Sequence, residues 1–231
     1  MRLSASVSFL TLLLPLSAGL ATIAAAENVG EATRIQRFAY QTPPAASKAP
    51  IYRLDPVVRN ARLETVPSGA LEVTFTDGSR LTLGSASSVV VDNYVYDGAT
   101  GTAGQTLKMT KGVFRFVSGS MPKDKVKLQT PSVTIGIRGT IVKIKIGDDN
   151  AETIFFEHGT GFVGNVPMGE GDMVKVGPDG TIGAPENTDW NAGDESVDYG
   201  LNPFGKSGHG PDGGTGGGDG AGSPGGDRGN D

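Results

Sequence analysis

Short stretches of alternating apolar and polar residues between positions 51 and 183 are typical of β-strands. Leu71, Val73 and Phe75 alternate with polar residues, and Leu81 and Leu83 do so after a short gap. A two-residue loop would put these apolar sets on opposite faces of a hairpin, because strand side chains alternate between faces. A three-residue loop puts them on one face. We therefore predict the loop Thr76-Asp77-Gly78, with Phe75 opposite Ser79, Val73 opposite Leu81 and Leu71 opposite Leu83.

Two further loops that end in glycine are predicted by the same reasoning. They are Pro178-Asp179-Gly180 and Glu157-His158-Gly159, and each has apolar residues at matching positions on both sides. The residues that these loops would bring onto one face are Val174 and Val176 with Ile182, and Ile154, Phe155 and Phe156 with Phe162.

A fourth loop, Asp149-Asn150-Ala151, completes a predicted meander from Val133 to Ile182. It would place Ile144 opposite Phe156 and Ile146 opposite Ile154. No segment shows the period of an amphipathic helix. The predicted fold is all-β: a single domain of short antiparallel strands that forms a rolled sheet or sandwich, with a β-solenoid-like roll as the alternative.

The phase of the alternation changes once, around Arg138-Gly139-Thr140. Apolar residues occupy odd positions from Val133 to Ile137 and even positions from Val142 to Ile146. One regular strand cannot keep both sets inside, because its faces alternate with a period of two. We therefore predict a bulge or sharp bend at these three residues, with Gly139 in the unusual backbone conformation.

The residues around this bend resemble the signature of a known family. Thr130-Pro131 followed by residues 135–140, Ile-Gly-Ile-Arg-Gly-Thr, resembles the motif of FecR domains. Several other segments resemble the same family in the same order, and together they cover about Leu54 to Asn165. These segments are 54–60 with 63–65, 75–84, 91–97 and 111–119. The motif residues that we expect to be structural are Thr130, Pro131, Gly136, Arg138, Gly139, Thr140, Asp77 and Gly78.

Composition divides the chain into four regions. Residues 1–26 have a basic start, a short apolar run and Ala24-Ala25-Ala26, which predicts a secretory signal peptide cut after Ala26. Residues 27–50 are polar and Pro-rich, which predicts a mostly extended linker with a strand around Ile35 to Tyr40. The folded domain is expected over 51–183. Residues 184–231 become rich in Gly and Asp, which predicts a disordered tail.

The charge and the lack of cysteine narrow the functional classes. Without Arg2 the 20 basic residues become 19, against 25 acidic residues, so the mature chain would carry a net charge of −6. Such a chain is unsuited to nucleic acid, which binds dense basic patches. With no cysteine, the domain of roughly 130 residues must be stable through burial alone, without disulfides.

The residues do not form a recognisable catalytic or metal site. The two histidines are His158, in a predicted loop, and His209, in the predicted tail. No nucleophile elbow or HExxH spacing is present. The Asp148-Asp149 pair is interpreted as turn-forming, because Asp side chains bond their own backbone there. The chain is thus expected to be non-catalytic, with no cofactor and no metal.

Two residues keep alternative interpretations. Arg138 would bind backbone carbonyls at the bend, or a carboxylate such as Asp92 or Asp97, or else contact a ligand or partner. Trp190 would cover the edge of the core, or else stack on a ligand.

The family resemblance implies a role in cell-surface signalling, in which a periplasmic domain relays the state of an outer-membrane receptor. We expect a periplasmic or secreted binding or scaffold module with an envelope protein as partner, no membrane span after signal cleavage and an undetermined oligomeric state. A sheet edge offered for strand addition is one mode of contact. The alternative function is binding of envelope carbohydrate such as peptidoglycan, or a structural role at the surface.

Overall fold

The chain folds into β-strands joined by short turns in the part that the computed structural model describes, residues 27–97 and 100–188. The only helical element there is a 3₁₀ turn at Lys123–Lys125, so the all-β prediction is confirmed. Among these residues no helix is long and apolar enough to cross a membrane. The strands are β1 Asn28–Gln36, β2 Ala39–Thr42, β3 Ala49–Pro50, β4 Pro56–Val58, β5 Arg62–Thr65, β6 Ala70–Phe75, β7 Arg80–Leu83, β8 Ser88–Asp97, β9 Thr102–Val117, β10 Val126–Gln129, β11 Thr134–Ile146, β12 Glu152–Val163, β13 Val166–Met168, β14 Asp172–Val176 and β15 Glu186–Asn187.

The strands build two layers that share one core. Layer 1 runs in the order β4-β1-β6-β7-β9-β11-β12-β14-β15. Layer 2 runs in the order β3-β2-β5-β8-β9-β10-β11-β12-β13. All pairings are antiparallel except that of β9 with β10. The predicted rolled sheet is therefore confirmed.

Three long strands, β9, β11 and β12, belong to both layers because each bends between its two halves. The end of β9 pairs with β7 and β11 in layer 1, whereas its start pairs with β8 and β10 in layer 2. Gly112, with φ +103°, lies at this bend. The strands β11 and β12 bend at the opposite end of the ladder that β9 and β11 share. In layer 2, β10 lies between the first half of β9 and the first half of β11.

The predicted bend at Arg138-Gly139-Thr140 is confirmed. The pairing of β11 with β12 shifts between Arg138 and Ile141, and Gly139 has φ +65°. Ile135 and Ile137 are buried before the bulge, and Val142, Ile144 and Ile146 are buried after it. The bulge therefore moves the apolar set from odd to even positions without turning it away from the core.

The hairpin between β6 and β7 has the predicted register. Leu71 lies opposite Leu83, Val73 lies opposite Leu81, and the Phe75 N–H donates to the Ser79 carbonyl. The predicted Pro178-Asp179-Gly180 loop is also confirmed, because Val176 bridges to Ile182. In both loops the Asp carboxylate accepts a bond from the N–H two residues later, and the following Gly has a positive φ.

Two loop predictions are wrong. Glu157-His158-Gly159 is not a loop, because β12 continues through it. Gly159, with φ +84°, is the point where β12 bends, and it lies against Gly139 at the bend of β11. As a result Phe156 is buried and Phe162 is exposed, so the two do not share a face. The loop before β12 is Asp148-Asp149-Asn150. It places Ile144 opposite Ile154 rather than Phe156, and Ile146 opposite Glu152 rather than Ile154.

The structure differs from the predicted linker at residues 27–50. These residues contain β1, β2 and β3. The predicted strand at Ile35 to Tyr40 is found as the end of β1 and the start of β2, separated by Arg37 and Phe38. Val29, Ala32 and Ala39 are at most 1% exposed and belong to the core. The expected signal peptide, Trp190, His209 and residues 189–231 of the expected tail lie outside the described residues.

Candidate interaction surfaces

Thr140, rather than Arg138, holds the bulge in place. The Thr140 hydroxyl accepts a bond from the Arg138 N–H at 3.2 Å and donates to the Thr160 carbonyl at 2.8 Å. The Thr140 N–H donates to the Ser118 hydroxyl at 2.9 Å, and the Ser118 N–H donates back to the Thr140 carbonyl at 3.1 Å. Thr140 is 1% exposed, so these bonds form in a dry environment where losing one is costly.

Arg138 extends along the outer side of layer 2. Its guanidinium carbon lies 5.7 Å from the centre of the Phe162 ring, and Phe162 is 41% exposed. Gly136 lies opposite Phe162 across the β11–β12 pair and leaves the space above the ring open. Asp92, one of the carboxylates considered as a partner of Arg138, pairs with Lys108 at 2.9 Å. Arg138 and Phe162 thus form an exposed stacked pair.

The Thr130-Pro131 motif anchors a buried carboxylate that the sequence did not single out. The Thr130 hydroxyl lies 2.7 Å from one oxygen of Glu152, and the Ser132 N–H donates to the other at 3.0 Å. Glu152 is 2% exposed, whereas Pro131 is exposed. Nothing in the local sequence links Glu152 to Thr130, since the contact depends on strand pairing across the domain.

Asp77 and Gly78 hold the tip of the β6–β7 hairpin against two other segments. One Asp77 carboxylate oxygen accepts bonds from the Ser79 N–H, the Ser79 hydroxyl and the Tyr94 hydroxyl. The Asp77 carbonyl accepts bonds from the N–H and the hydroxyl of Ser120. Asp77 is 4% exposed, so these contacts support the fold and are closed to a ligand.

The acidic and imidazole groups serve turns and surface pairs. The Asp149 carboxylate accepts the Ala151 N–H at 3.0 Å, as the turn interpretation expects. His158 pairs with Glu170 at 2.9 Å, and both side chains are more than 60% exposed. Within the described ranges no group of three or more His, Asp or Glu residues could hold a metal ion.

Four of the sheet edges are short or contain proline. Pro50 lies in β3, Pro56 in β4 and Pro167 in β13, and β15 spans two residues. Proline removes a donor from the edge, and short edge strands give an incoming strand little to pair with. These four edges offer little to an added strand, whereas residues 92–96 of β8 pair with β9 alone among the described strands.

A basic surface, here called the cationic face, covers the outer side of layer 1. Lys145 lies opposite Thr153, which lies opposite Lys175, so the two lysines flank one threonine across three strands. Arg115 lies opposite Lys143 in the neighbouring row. The basic residues of the cationic face are Arg80, Arg115, Lys143, Lys145 and Lys175.

Glu157 neutralises one part of the cationic face. Arg115 holds it with two bonds of 2.9 and 3.2 Å, and the Lys143 ammonium lies 3.7 Å away. Partial burial opposes ionisation of Glu157, but the hydrogen bond and charge of Arg115, followed by the charge of Lys143, outweigh it and lower the pKa of this carboxyl. Lys145 and Lys175 have no ion pair among the described residues.

A second surface, here called the aromatic patch, lies at the N-terminal end of the fold. Phe38 is 66% exposed, Tyr52 is 67% exposed and Leu54 is 57% exposed. The Ile51 N–H donates to the Ala39 carbonyl, so Phe38 and Tyr52 directly adjoin two residues that are bonded to each other. The aromatic patch consists of Phe38, Tyr52 and Leu54, flanked by the exposed residues Arg37 and Arg53.

The backbone under the aromatic patch is strained. The Asp55 N–H donates to the Tyr52 carbonyl, which closes a turn with Arg53 and Leu54 at its tip. Leu54 has φ +73°, a conformation that suits Gly or Asn and costs other residues of order 1–3 kcal/mol. The turn is fixed to β1 by bonds from Leu54 to Ala32 and from Ala32 to Asp55. The fold therefore holds an apolar side chain in water at an energetic cost.

Residues 61–158 match the family model described as FecR protein. No curated protein matches the chain. Two crystal structures of a "putative anti-sigma factor" from Parabacteroides distasonis are similar, each with 15% sequence identity, with TM-scores of 0.46 and 0.45. The similarity covers 55% of this chain and 60% of that chain, so this chain spans less than two thirds of the length of those proteins.

Proposed function

The chain carries a FecR domain at residues 61–158, and on that premise we propose that it is an exported, non-catalytic module that binds a protein partner in envelope signalling. We also propose a periplasmic or secreted location, which is supported by the signal peptide predicted in residues 1–26. Its action would consist of recognition, because the polar groups of the family motif are occupied by contacts within the fold.

The observation that carries the proposal is the aromatic patch. Exposed apolar side chains that lie together on a soluble domain mark interaction sites, and Tyr, Phe and Arg are typical of interface centres. Leu54 adds weight, because it exposes a large apolar side chain at a positive φ that Gly or Asn would adopt with less strain.

The partner that fits this surface is a protein with apolar side chains surrounded by carboxylates. Phe38, Tyr52 and Leu54 would bury against the apolar groups, and each large side chain buried contributes about 1.5–3 kcal/mol. Arg37 and Arg53 have no ion pair among the described residues, so their guanidinium groups remain available for acidic partners.

The test is co-purification of the full chain from cells that express it naturally, with two matched variants. In the first, Phe38→Ser and Tyr52→Ser remove the aromatic patch. In the second, Phe162→Ser removes an exposed aromatic ring from the outer side of layer 2. We expect one envelope protein to be lost from the first variant and retained by the second. Equal recovery with all three chains would contradict the assignment of the aromatic patch.

Leu54→Asn separates binding from folding. Asparagine tolerates the left-handed conformation, so the variant should be as stable as the native chain or more stable by about 1 kcal/mol in urea. Partner recovery should nevertheless fall. A stable variant that recovers the partner fully would remove Leu54 from the interface. Retention of the chain on purified peptidoglycan with no protein partner would overturn the proposed function in favour of carbohydrate binding.

A further inference from the structure

The side chain of Arg138 takes no part in holding the bend of β11. Thr140 does that, and the exposed guanidinium of Arg138 lies over the ring of Phe162 instead. Within residues 27–97 and 100–188 this guanidinium has no ion pair with a carboxylate. Stacking on a ring fixes the plane of a guanidinium and leaves the N–H groups at its edge free to bond. Arg138 is therefore an oriented donor that lacks a carboxylate partner in the described part of the chain.

The surface beside this stacked pair has an open floor. Gly136 lies directly opposite Phe162 on one side and directly opposite Lys127 on the other, so the three positions form one row across β12, β11 and β10. A Cβ at Gly136 would meet nothing within 4 Å. Phe162 and Lys127 are separated by two strand spacings, about 10 Å, and Arg138 lies two residues along β11 on the same face. We call this space above Gly136, with Phe162, Lys127 and Arg138 around it, the glycine cleft.

The charge around the glycine cleft is positive. Lys127 and Arg138 are exposed on its rim, and the ammonium of Lys123 lies against the backbone of the neighbouring bulge. The acidic residue between these lysines in the sequence, Asp124, pairs with Lys125 at 3.2 Å. Neither Lys123 nor Lys127 has an ion pair among the described residues. The cleft is thus complementary to an anion, and a planar carboxylate suits the fork of the arginine.

The other groups of the cleft indicate which carboxylate fits. Phe162 is the one large exposed apolar side chain of this face in the described ranges, whereas protein interfaces use several such side chains together. Thr134 and Thr160 place exposed hydroxyl groups on the same face, because they lie two residues before Gly136 and directly opposite Arg138. A sugar ring has a C–H face that packs on a single aromatic ring and hydroxyl groups at its rim. A sugar that carries a carboxylate therefore matches the ring, the hydroxyls and the cations at once.

We propose that the glycine cleft binds the carboxylate-bearing sugars of an acidic polysaccharide. The sugar ring packs on Phe162 above Gly136, and its carboxylate accepts two parallel hydrogen bonds from Arg138, while Lys127 adds charge from the other side. Because Phe162 already orients the guanidinium, little freedom is lost on binding. The proposal goes beyond the proposed function and does not depend on it, since the cleft and the aromatic patch share no residue.

The test is calorimetric titration of the full chain with three probes. The first is an oligogalacturonate, in which every sugar carries a carboxylate. The second is a neutral maltooligosaccharide of equal length, and the third is an oligoaspartate peptide with the same number of carboxylates. We expect the first to bind at least tenfold more tightly than either of the others, because only it has both the sugar face and the charge. Equal affinity for the peptide would overturn the proposal and assign the cleft to an acidic protein, and no binding of the oligogalacturonate would overturn it outright.

Two variants assign the binding to the cleft. Arg138→Lys keeps the charge but removes the fork, so it should weaken oligogalacturonate binding about tenfold. Gly136→Leu fills the floor of the cleft and should abolish binding. Both positions face solvent or open space, so the urea midpoints should match that of the native chain. The control Arg80→Lys makes the same change at an exposed arginine on the outer side of layer 1 and should have no effect. Undiminished binding in the two cleft variants would overturn the assignment.

Discussion

At the scale of single residues, Tyr94 connects the two layers through its ring and its hydroxyl. The ring belongs to layer 2 and stacks on Phe75 of layer 1 with centroids 5.4 Å apart. The hydroxyl accepts the Asp77 N–H at 2.9 Å, lies 2.9 Å from the Thr76 hydroxyl and donates to the Asp77 carboxylate. Burial, only partly offset by the bonds from Thr76 and the Asp77 N–H, raises the pKa of Tyr94 to about 12.

Tyr94→Phe should destabilise the protein by about 1–3 kcal/mol, because the Asp77 N–H loses its partner in a buried place. The effect should depend on pH. The unfolded chain releases the Tyr94 proton near pH 10.0 and the folded chain near 12, so the native stability is full below pH 10 and falls as the pH rises to 12. Tyr94→Phe should lack this fall. Urea unfolding between pH 7 and pH 12 measures both effects.

Tyr96→Phe is the matched control for Tyr94→Phe. Its hydroxyl bonds the Ser120 hydroxyl at an exposed position, so its removal should cost less than about 0.5 kcal/mol. Equal losses in the two variants would show that the buried network around Asp77 adds no stability.

The site residues divide into those that sequence reasoning could reach and those that it could not. The bend at Gly139 follows from the change of phase in the apolar residues, which is local information. The partners of Thr140, namely Ser118 and Thr160, lie about twenty residues away on each side, and only strand pairing brings them together. The aromatic patch was missed because exposure of Phe38 and Tyr52 is decided by tertiary contacts rather than by alternation.

At the scale of elements, a glycine at the end of a predicted three-residue loop was interpreted correctly in two places and wrongly in one. Asp77-Gly78 and Asp179-Gly180 form hairpin turns, because the Asp carboxylate bonds the backbone two residues later. His158-Gly159 has no such carboxylate, and its glycine sits in a bulge within a continuous strand. A glycine with positive φ therefore occurs both in a turn and in a bulge. In these three places Asp precedes the glycine of a turn, and His precedes the glycine of the bulge.

A series of glycine variants tests the bend. Gly159→Ala should cost about 3 kcal/mol or more, because φ is +84° and the new Cβ would collide with the Gly139 carbonyl oxygen. Gly78→Ala should cost about 1–2 kcal/mol, because φ is +80° but nothing lies within 4 Å. The free energy of unfolding in urea gives both values.

Gly136→Ala is the reference for the series. It has open space around it and no positive φ, so it should change stability by less than about 0.5 kcal/mol. If Gly159→Ala were as mild as Gly136→Ala, the close approach of β12 to the bulge would not be needed for the fold.

At the scale of the whole molecule, the N-terminal segment is part of the core and not an appendage. Strand β1 lies between β4 and β6, and Gly30 pairs with Phe75 and Val57. The sequence did not reveal this, because Val29, Ala32 and Ile35 are three residues apart rather than two, and two of the three are small or partly exposed. Their burial depends on β6, which follows some forty residues later.

Deletion of residues 27–50 should abolish cooperative unfolding, because it removes β1 to β3 and exposes the edge of β6 and its buried neighbours. Circular dichroism during urea titration of the otherwise full chain measures this. Replacing residues 43–47, a turn between β2 and β3, by glycine and serine should shift stability by no more than about 1 kcal/mol. An undiminished cooperative transition in the deletion variant would contradict the assignment of β1 to the core.

The bent strands β9, β11 and β12 have a mechanical consequence. Each is a continuous backbone that passes from one layer into the other, at opposite ends of the ladder that β9 and β11 share, so the layers have no plane along which they could slide or swing apart. A displacement of one layer relative to the other would pull on these three strands and break the backbone hydrogen bonds between strands in the second layer. A protein that binds either surface of the domain would therefore move both layers together as one rigid body. A force or a rotation applied at one surface would reach the other surface.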